Sequence, residues 1–135
     1  MVVLNKIKLI DLQPSQFYLS QEKIEGINSW FRSDIFDDFS PLPVKILNGK
    51  VVLTDGHTRA WVAYRNGFEK VPLTWDEDEL DWEAYQLCVD ECQRQGINSI
   101  ADLNNRILSP EEYTLKWDHW CDQLHEDLER KRNAI

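Results

Sequence analysis

Two β-branched runs, Val44-Lys45-Ile46-Leu47 and Lys50-Val51-Val52-Leu53, are joined by Asn48-Gly49. An Asn-Gly connection accepts the positive φ that a two-residue hairpin loop demands at both positions, so the segment predicts an antiparallel pair. That pair constrains the chain beyond it. Its second strand runs straight into Thr54-Asp55-Gly56-His57-Thr58-Arg59, and residues 58–66 then read as a helix ended by Gly67 at C′. Residues 70–75 form a further strand, and Pro72 suits it to a sheet edge or a strand start.

Upstream, residues 6–12 read as a first strand, stopped by Pro14-Ser15. Ser20 is a predicted N-cap, with Leu19 and Ile24 spaced as a hydrophobic staple. The helix it opens places Ile24, Ile27 and Phe31 on one stripe. Residues 34–43 read as an Asp-rich loop closed by Pro41 and Pro43.

At Asp76 the chain changes character. Six of the eight residues from Asp76 to Glu83 are acidic, and every later segment reads as helix. Trp82, Tyr85, Val89 and Cys92 recur at helical spacing, and Gly96 ends that run. Ser99 with Asp102, and Ser109 with Pro110 and Glu112, are helix starts. Tyr113, Trp117, Trp120, Leu124 and Leu128 then line one face. The expected fold is α+β. A small mixed-sheet unit spans residues 1–75, and an acidic helical extension, 76–135, packs its aromatic stripe on that unit as one structure.

Charge and cysteine usage narrow the function classes. Residues 1–75 carry a net charge of +1 and residues 76–135 carry −10. Arg130-Lys131-Arg132 is the longest basic run, so the stripe that a nucleic-acid binder needs is missing and DNA binding is disfavoured. Apolar runs are too short to cross a membrane, and the first residues lack a signal-peptide pattern. Three cysteines fit reduced thiols better than a disulfide framework, so a cytoplasmic location is expected.

The chemistry concentrates at the crossover from strand to helix. A helix N-terminus presents unpaired N–H groups and a positive dipole end, which suit a phosphate. Gly56 allows close backbone approach or a positive φ, Thr58 can cap the helix or donate to an oxygen, and Arg59 can clamp an anion. Asp55 can orient His57 or Arg59, accept a proton, or hold Mg²⁺ through water. The competing structural account makes Asp55-Gly56 a plain turn with Asp55 as cap and Arg59 in a surface ion pair. Elsewhere, Cys88 and Cys92, and Cys121 and His125, are each four apart on helices, a spacing compatible with Zn²⁺. Cys92 lies on the apolar stripe, however, and buried thiols behave as small hydrophobes, so no metal site is expected. Trp117 and Trp120 are better read as core than as a base-stacking pair.

The order of these features resembles the N-terminal domain of the ParB/sulfiredoxin-like superfamily. The likeness runs from Ile7-Lys8-Leu9-Ile10-Asp11-Leu12-Gln13-Pro14-Ser15 through Pro43 to Leu47, Asn48-Gly49 and Val52 to Ala60. It ends at Ala63-Tyr64 and Gly67 to Leu73. It implies a nucleotide phosphate at residues 55–59, with Gly56, His57, Thr58 and Arg59 as ligand-binding residues. The turn Asp-Gly-His-Thr-Arg is most similar to that of the superfamily's free serine kinases. The likeness thus implies ATP, ADP or CTP with Mg²⁺. The departures matter as well. The turn has no Cys, which argues against sulfiredoxin chemistry, and it has one Arg where the partition proteins have two. The kinases' catalytic Glu would fall at Ser15-Gln16, and Gln16 cannot act as a base. Candidate catalytic residues are therefore Asp55, His57 and Glu22, the nearest carboxylate. The expected function is nucleotide or phosphorylated small-molecule binding, with phosphoryl transfer to a small hydroxyl substrate as its catalytic extension. The alternative is a non-catalytic ligand-sensing or interaction module whose acidic extension recruits a protein.

Overall fold

A computed structural model describes residue 4, residues 6–31 and residues 40–134. The hairpin forms as its turn requires. Strand β3, Leu42–Leu47, pairs antiparallel with β4, Lys50–Leu53, and Asn48 and Gly49 take φ of 50° and 79°. On one side of it, β1 (Gln13–Pro14) lies parallel to β4. On the other, β5 (Leu73–Trp75) lies parallel to β3. The sheet order β1-β4-β3-β5 puts both proline-bearing or proline-flanked short strands at the edges, where a missing N–H costs no ladder bond. Leu4 bridges antiparallel to Leu73 beyond β5.

The expected first strand over residues 6–12 is not formed. Leu9–Asp11 is a single 3-10 turn, and Leu9 and Leu12, three apart, are both buried by it. The backbone N–H of Leu9 donates to Glu69 and that of Leu12 to Leu9. Burying two leucines on the same side needs a turn, because a strand would alternate a pair three apart. The Asp-rich stretch expected as a loop lies mostly outside the described residues, and its end, Leu42-Pro43, already belongs to β3.

Helix α1, Gln21–Asn28, is capped by Ser20, whose hydroxyl accepts from Lys23 N–H. Phe31 falls past its end and meets Phe68 edge-on at 5.9 Å. Helix α2, His57–Arg65, starts one residue before the expected position because Gly56, at φ 77°, is its N-cap. Helix α3, Trp82–Arg94, is capped by Asp81. The 3-10 helix Ile100–Asn105 carries the Ser99/Asp102 capping box.

The extension is not wholly helical as expected. Strand β6, Ile107–Leu108, pairs parallel with β2, Leu19–Ser20. Ser109 caps α4, Pro110–Tyr113, which continues through a π-helical turn at Thr114–Asp118 into α5, His119–Asn133.

The core joins the two parts. Leu9, Leu12, Leu42, Val44, Leu53, Val62 and Leu73 of the first part pack with Cys92, Ile97, Ile100 and Leu103 of the second. Phe17 meets the edges of Trp117 and Trp120, each at 4.9 Å, and those indoles stack at 5.9 Å. A buried polar tie accompanies them. The Gln13 side-chain amide donates to Ile97 O at 2.9 Å and accepts from Gln93. Among the described residues no helix is long and apolar enough to cross a membrane.

Candidate functional site

Strand β4 delivers its last residues to one end of the sheet, and three features hold the crossover there. Thr54 donates to Asp76 Oδ2 at 2.7 Å and its backbone carbonyl accepts from Tyr85 OH at 3.1 Å. Ser15 Oγ donates to Leu53 O at 2.7 Å. Ser15 N–H donates to His57 Nε2 at 3.0 Å. The first turn of α2 is thereby pinned to the residue just after β1.

That last bond redefines His57. The imidazole is 4% exposed, and burial depresses its pKa to about 4 against a smaller opposing pull from Asp55. It is neutral at physiological pH, and since Nε2 accepts, the proton sits on Nδ1. The sequence places His57 among the candidate catalytic groups. Its Nε2 lone pair accepts a backbone N–H, which ties the turn in place, and Nδ1 carries the imidazole's proton.

Gly56 has a double reason to lack a side chain. Its φ is in the left-handed region, and a Cβ there would stand 2.6 Å from Leu42 Cδ2 and 3.0 Å from Arg59 Nη2. The backbone therefore presses against the core while Arg59 folds back over it. Among the described residues no side chain caps α2. The account of Asp55 as helix cap does not hold, because Asp55 Oδ1 accepts from Gly56 N–H at 2.8 Å and the cap position itself is Gly56. Thr58 sits within the first turn, nearly buried. Arg59 Nη1 donates to Ser40 O at 3.1 Å.

These residues line one side of a hollow of about 390 Å³ whose other side is Gln16, Lys23, Gly26 and Ile27. Asp55, Gly56, His57, Thr58 and Arg59 thus line one hollow, and Glu22 does not join them. Glu22 is exposed and lines a different hollow with Gln21, Glu25 and Pro110. Successive helix positions differ by about 100°, so the residue that turns towards the crossover is its neighbour Lys23. Lys23 Nζ lies 4.9 Å above the Tyr113 ring and 3.4 Å from its hydroxyl. Gln16 Nε2 donates to that same hydroxyl at 3.0 Å.

Sequence reasoning misses Lys23, although a signal exists. It is the third residue of α1, where the positive end of the helix dipole opposes a cation.

Two further hollows meet at Asp55. One, of about 710 Å³, is walled by Thr54, Trp75, Asp76, Glu77, Asp78 and Tyr85, an acidic lining that repels anions. The other, about 300 Å³, lies between the turn and helices α3 and α5. Cys88 and Cys121 line it, and burial pushes their pKa values up to about 12 and about 11, so both are neutral thiols. Cys92 is in the core. Among the described residues no three His, Cys, Asp or Glu side chains converge to hold a metal ion.

No family model matches the chain, and no curated protein does. Among solved structures it is similar to protein Atu1540 from Agrobacterium tumefaciens, with 17% sequence identity and a TM-score of 0.53. The likeness covers 76% of this chain and 61% of that one, so the chain spans about three fifths of that protein's length. At such identity what the two share is the fold: a small α+β architecture of a mixed sheet with packed helices.

Proposed function

We propose that the hollow at the start of α2 binds a nucleotide or a phosphorylated small molecule, in the manner of a ParB/sulfiredoxin-like domain. One observation carries the reading. A helix N-terminus that no described side chain caps shares a 390 Å³ hollow with two cations, Lys23 and Arg59, contributed by different helices. Backbone N–H groups, the dipole and two basic side chains on one small cavity are the elements of a phosphate site. The sequence likeness at residues 52–60 supports the same reading.

Mg²⁺ fits as a companion of the phosphates rather than as a resident ion. Asp55 Oδ1 takes Gly56 N–H, which leaves Oδ2 as the carboxylate oxygen with no hydrogen-bond partner among the described residues. A single carboxylate with phosphate oxygens and waters is a usual Mg²⁺ environment.

Binding is better supported than phosphoryl transfer. Of the three carboxylate or imidazole candidates, His57 is committed to Ser15 and Glu22 faces another hollow. A transfer reaction at this hollow would have to use Asp55 as its base.

The test is thermal unfolding of the full chain with ATP, ADP or CTP plus Mg²⁺. At least one nucleotide is expected to raise the melting temperature, and Arg59→Ala to abolish the rise. No shift with any of them would overturn the proposal. Consumption of the bound nucleotide on adding serine or another small alcohol then separates an enzyme from a sensor.

A further inference from the structure

The 300 Å³ cavity between the turn and the helical extension has a chemistry of its own. Its walls include Asp55, Gln16, Tyr85, Trp117, Cys88 and Cys121, and among the described residues no lysine or arginine lines it. Two hydrogen-bond acceptors on that wall have no partner among the described residues. Asp55 uses Oδ1 for Gly56 N–H, leaving Oδ2, and Gln16 spends its Nε2 on Tyr18 O and Tyr113 OH, leaving Oε1. The second acid of the cavity, Asp81, is already paired with Arg132 at 2.9 Å.

The aromatic wall is held in place. Tyr85 OH donates to Thr54 O, which fixes that ring beside Asp55. Trp117 sits in the π-helical turn Thr114–Asp118, and Trp120 stacks on it. Single π turns inside α-helices recur at functional sites, because the extra residue re-aims one side chain. Burial raises the Tyr85 pKa, and the carboxylates of Asp55 and Asp76 raise it further, which marks the region as electronegative. The neutral thiols, with Leu124, supply an apolar side.

We propose that this cavity binds a primary alkylammonium group. Its N–H donors meet Asp55 Oδ2 and Gln16 Oε1, the charge lies against the Tyr85 and Trp117 rings, and the alkyl stem rests on the thiols and Leu124. An ammonium brings several donors and no acceptor, so the two unpartnered acceptors, Asp55 Oδ2 and Gln16 Oε1, favour it over an alcohol with its single O–H. His125 on the same wall is the one other nitrogen base it meets. The aromatic rings add attraction for the charge in a partly desolvated place. The two hollows share a wall, Gln16 and Asp55, so the ammonium and a Mg²⁺ at the anion site compete for Asp55 Oδ2, and the amine is titrated without nucleotide or Mg²⁺.

The experiment is calorimetric titration of the full chain at neutral pH and fixed ionic strength with butylamine, and separately with butan-1-ol as the neutral isostere. Butylamine is expected to bind at least about tenfold more tightly than butan-1-ol, the scale of a desolvated cation–π contact plus a charge-assisted hydrogen bond. Asp55→Asn, an exposed substitution on a turn, is expected to remove that preference. Cys121→Phe, which fills the cavity, is expected to remove binding while circular dichroism reports the fold. Should that variant unfold, Asp55→Asn alone decides the matter. Equal affinity for amine and alcohol, no butylamine binding, or an unchanged Asp55→Asn titration would each overturn the proposal. A nucleotide-induced thermal shift that persists in any of those cases leaves the anion site standing.

Discussion

Adding one methyl group at Gly56 tests the account of the turn most sharply. Gly56→Ala incurs two separate costs. A non-glycine residue held at φ 77° is strained by about 1–2 kcal/mol. The new Cβ would also stand 2.6 Å from Leu42 Cδ2. Leu42 is wholly buried in the core and cannot swing aside, so the overlap costs a further 1–3 kcal/mol or so. Gly49→Ala is the built-in control. Gly49 has nearly the same φ, 79°, but nothing lies within 4 Å of its missing Cβ. It should cost only the strain. Both variants are compared by urea unfolding and by thermal melts. Gly56→Ala is expected to lose about 3 kcal/mol, roughly 10 °C in melting temperature for a chain of this length. Gly49→Ala should lose about half as much or less. Equal losses would mean that the turn does not press on Leu42, and the close packing of Gly56 against the core would have to be abandoned.

Three other outcomes are expected from the same geometry. His57 is held neutral with its pKa near 4, below the unfolded value of 6.5. The unfolded chain therefore takes up the proton first as pH falls, so the stabilising contribution is full above pH 6.5 and is lost between there and pH 4. The loss amounts to about 3 kcal/mol across that window, and His57→Gln should flatten this part of the stability–pH curve. Leu128→Ala removes a buried anchor of α5 and should lower the stability of the whole chain by about 2–5 kcal/mol in one transition. A separate early transition would mean that the extension unfolds on its own. Lys23→Ala should weaken nucleotide-dependent stabilisation without abolishing it, measured as the thermal shift against nucleotide concentration, whereas Arg59→Ala should abolish it.

What the residues disclose by themselves is local. Asn48-Gly49 implies its hairpin because turn chemistry and strand chemistry agree within ten residues. Ser20, Ser99 with Asp102, and Ser109 with Pro110 announce their helices for the same reason. What stays hidden depends on partners far away in the chain. Residues 6–12, rich in apolar side chains and bounded by Pro14-Ser15, suggest a strand. Yet their leucines are claimed by a core that Val71 and Leu73 complete, Leu9 N–H donates to Glu69 O, and the pairing passes to Gln13-Pro14. The two-residue ladder between β2 and β6 spans 88 positions, and no local pattern signals it. The five residues of the turn are legible as a unit. The second cation, Lys23, is not, because its use depends on how α1 is rotated towards α2.

The short β2–β6 ladder has a mechanical meaning. Ser20, within it, is also the cap of α1, and Leu108, paired with Ser20, adjoins Ser109, the cap of α4. Two helices therefore share one hinge-like fastening, and Tyr113 at the end of α4 reaches back to both Lys23 and Gln16. The distal half of the chain thus sets the aim of two residues on the wall of the hollow at the start of α2. A truncation before residue 107 would leave every residue of the 55–59 turn in the chain and still remove the partner that holds Lys23 and Gln16. Under the proposed function, whatever grips the C-terminal helices gains a lever on affinity at the turn.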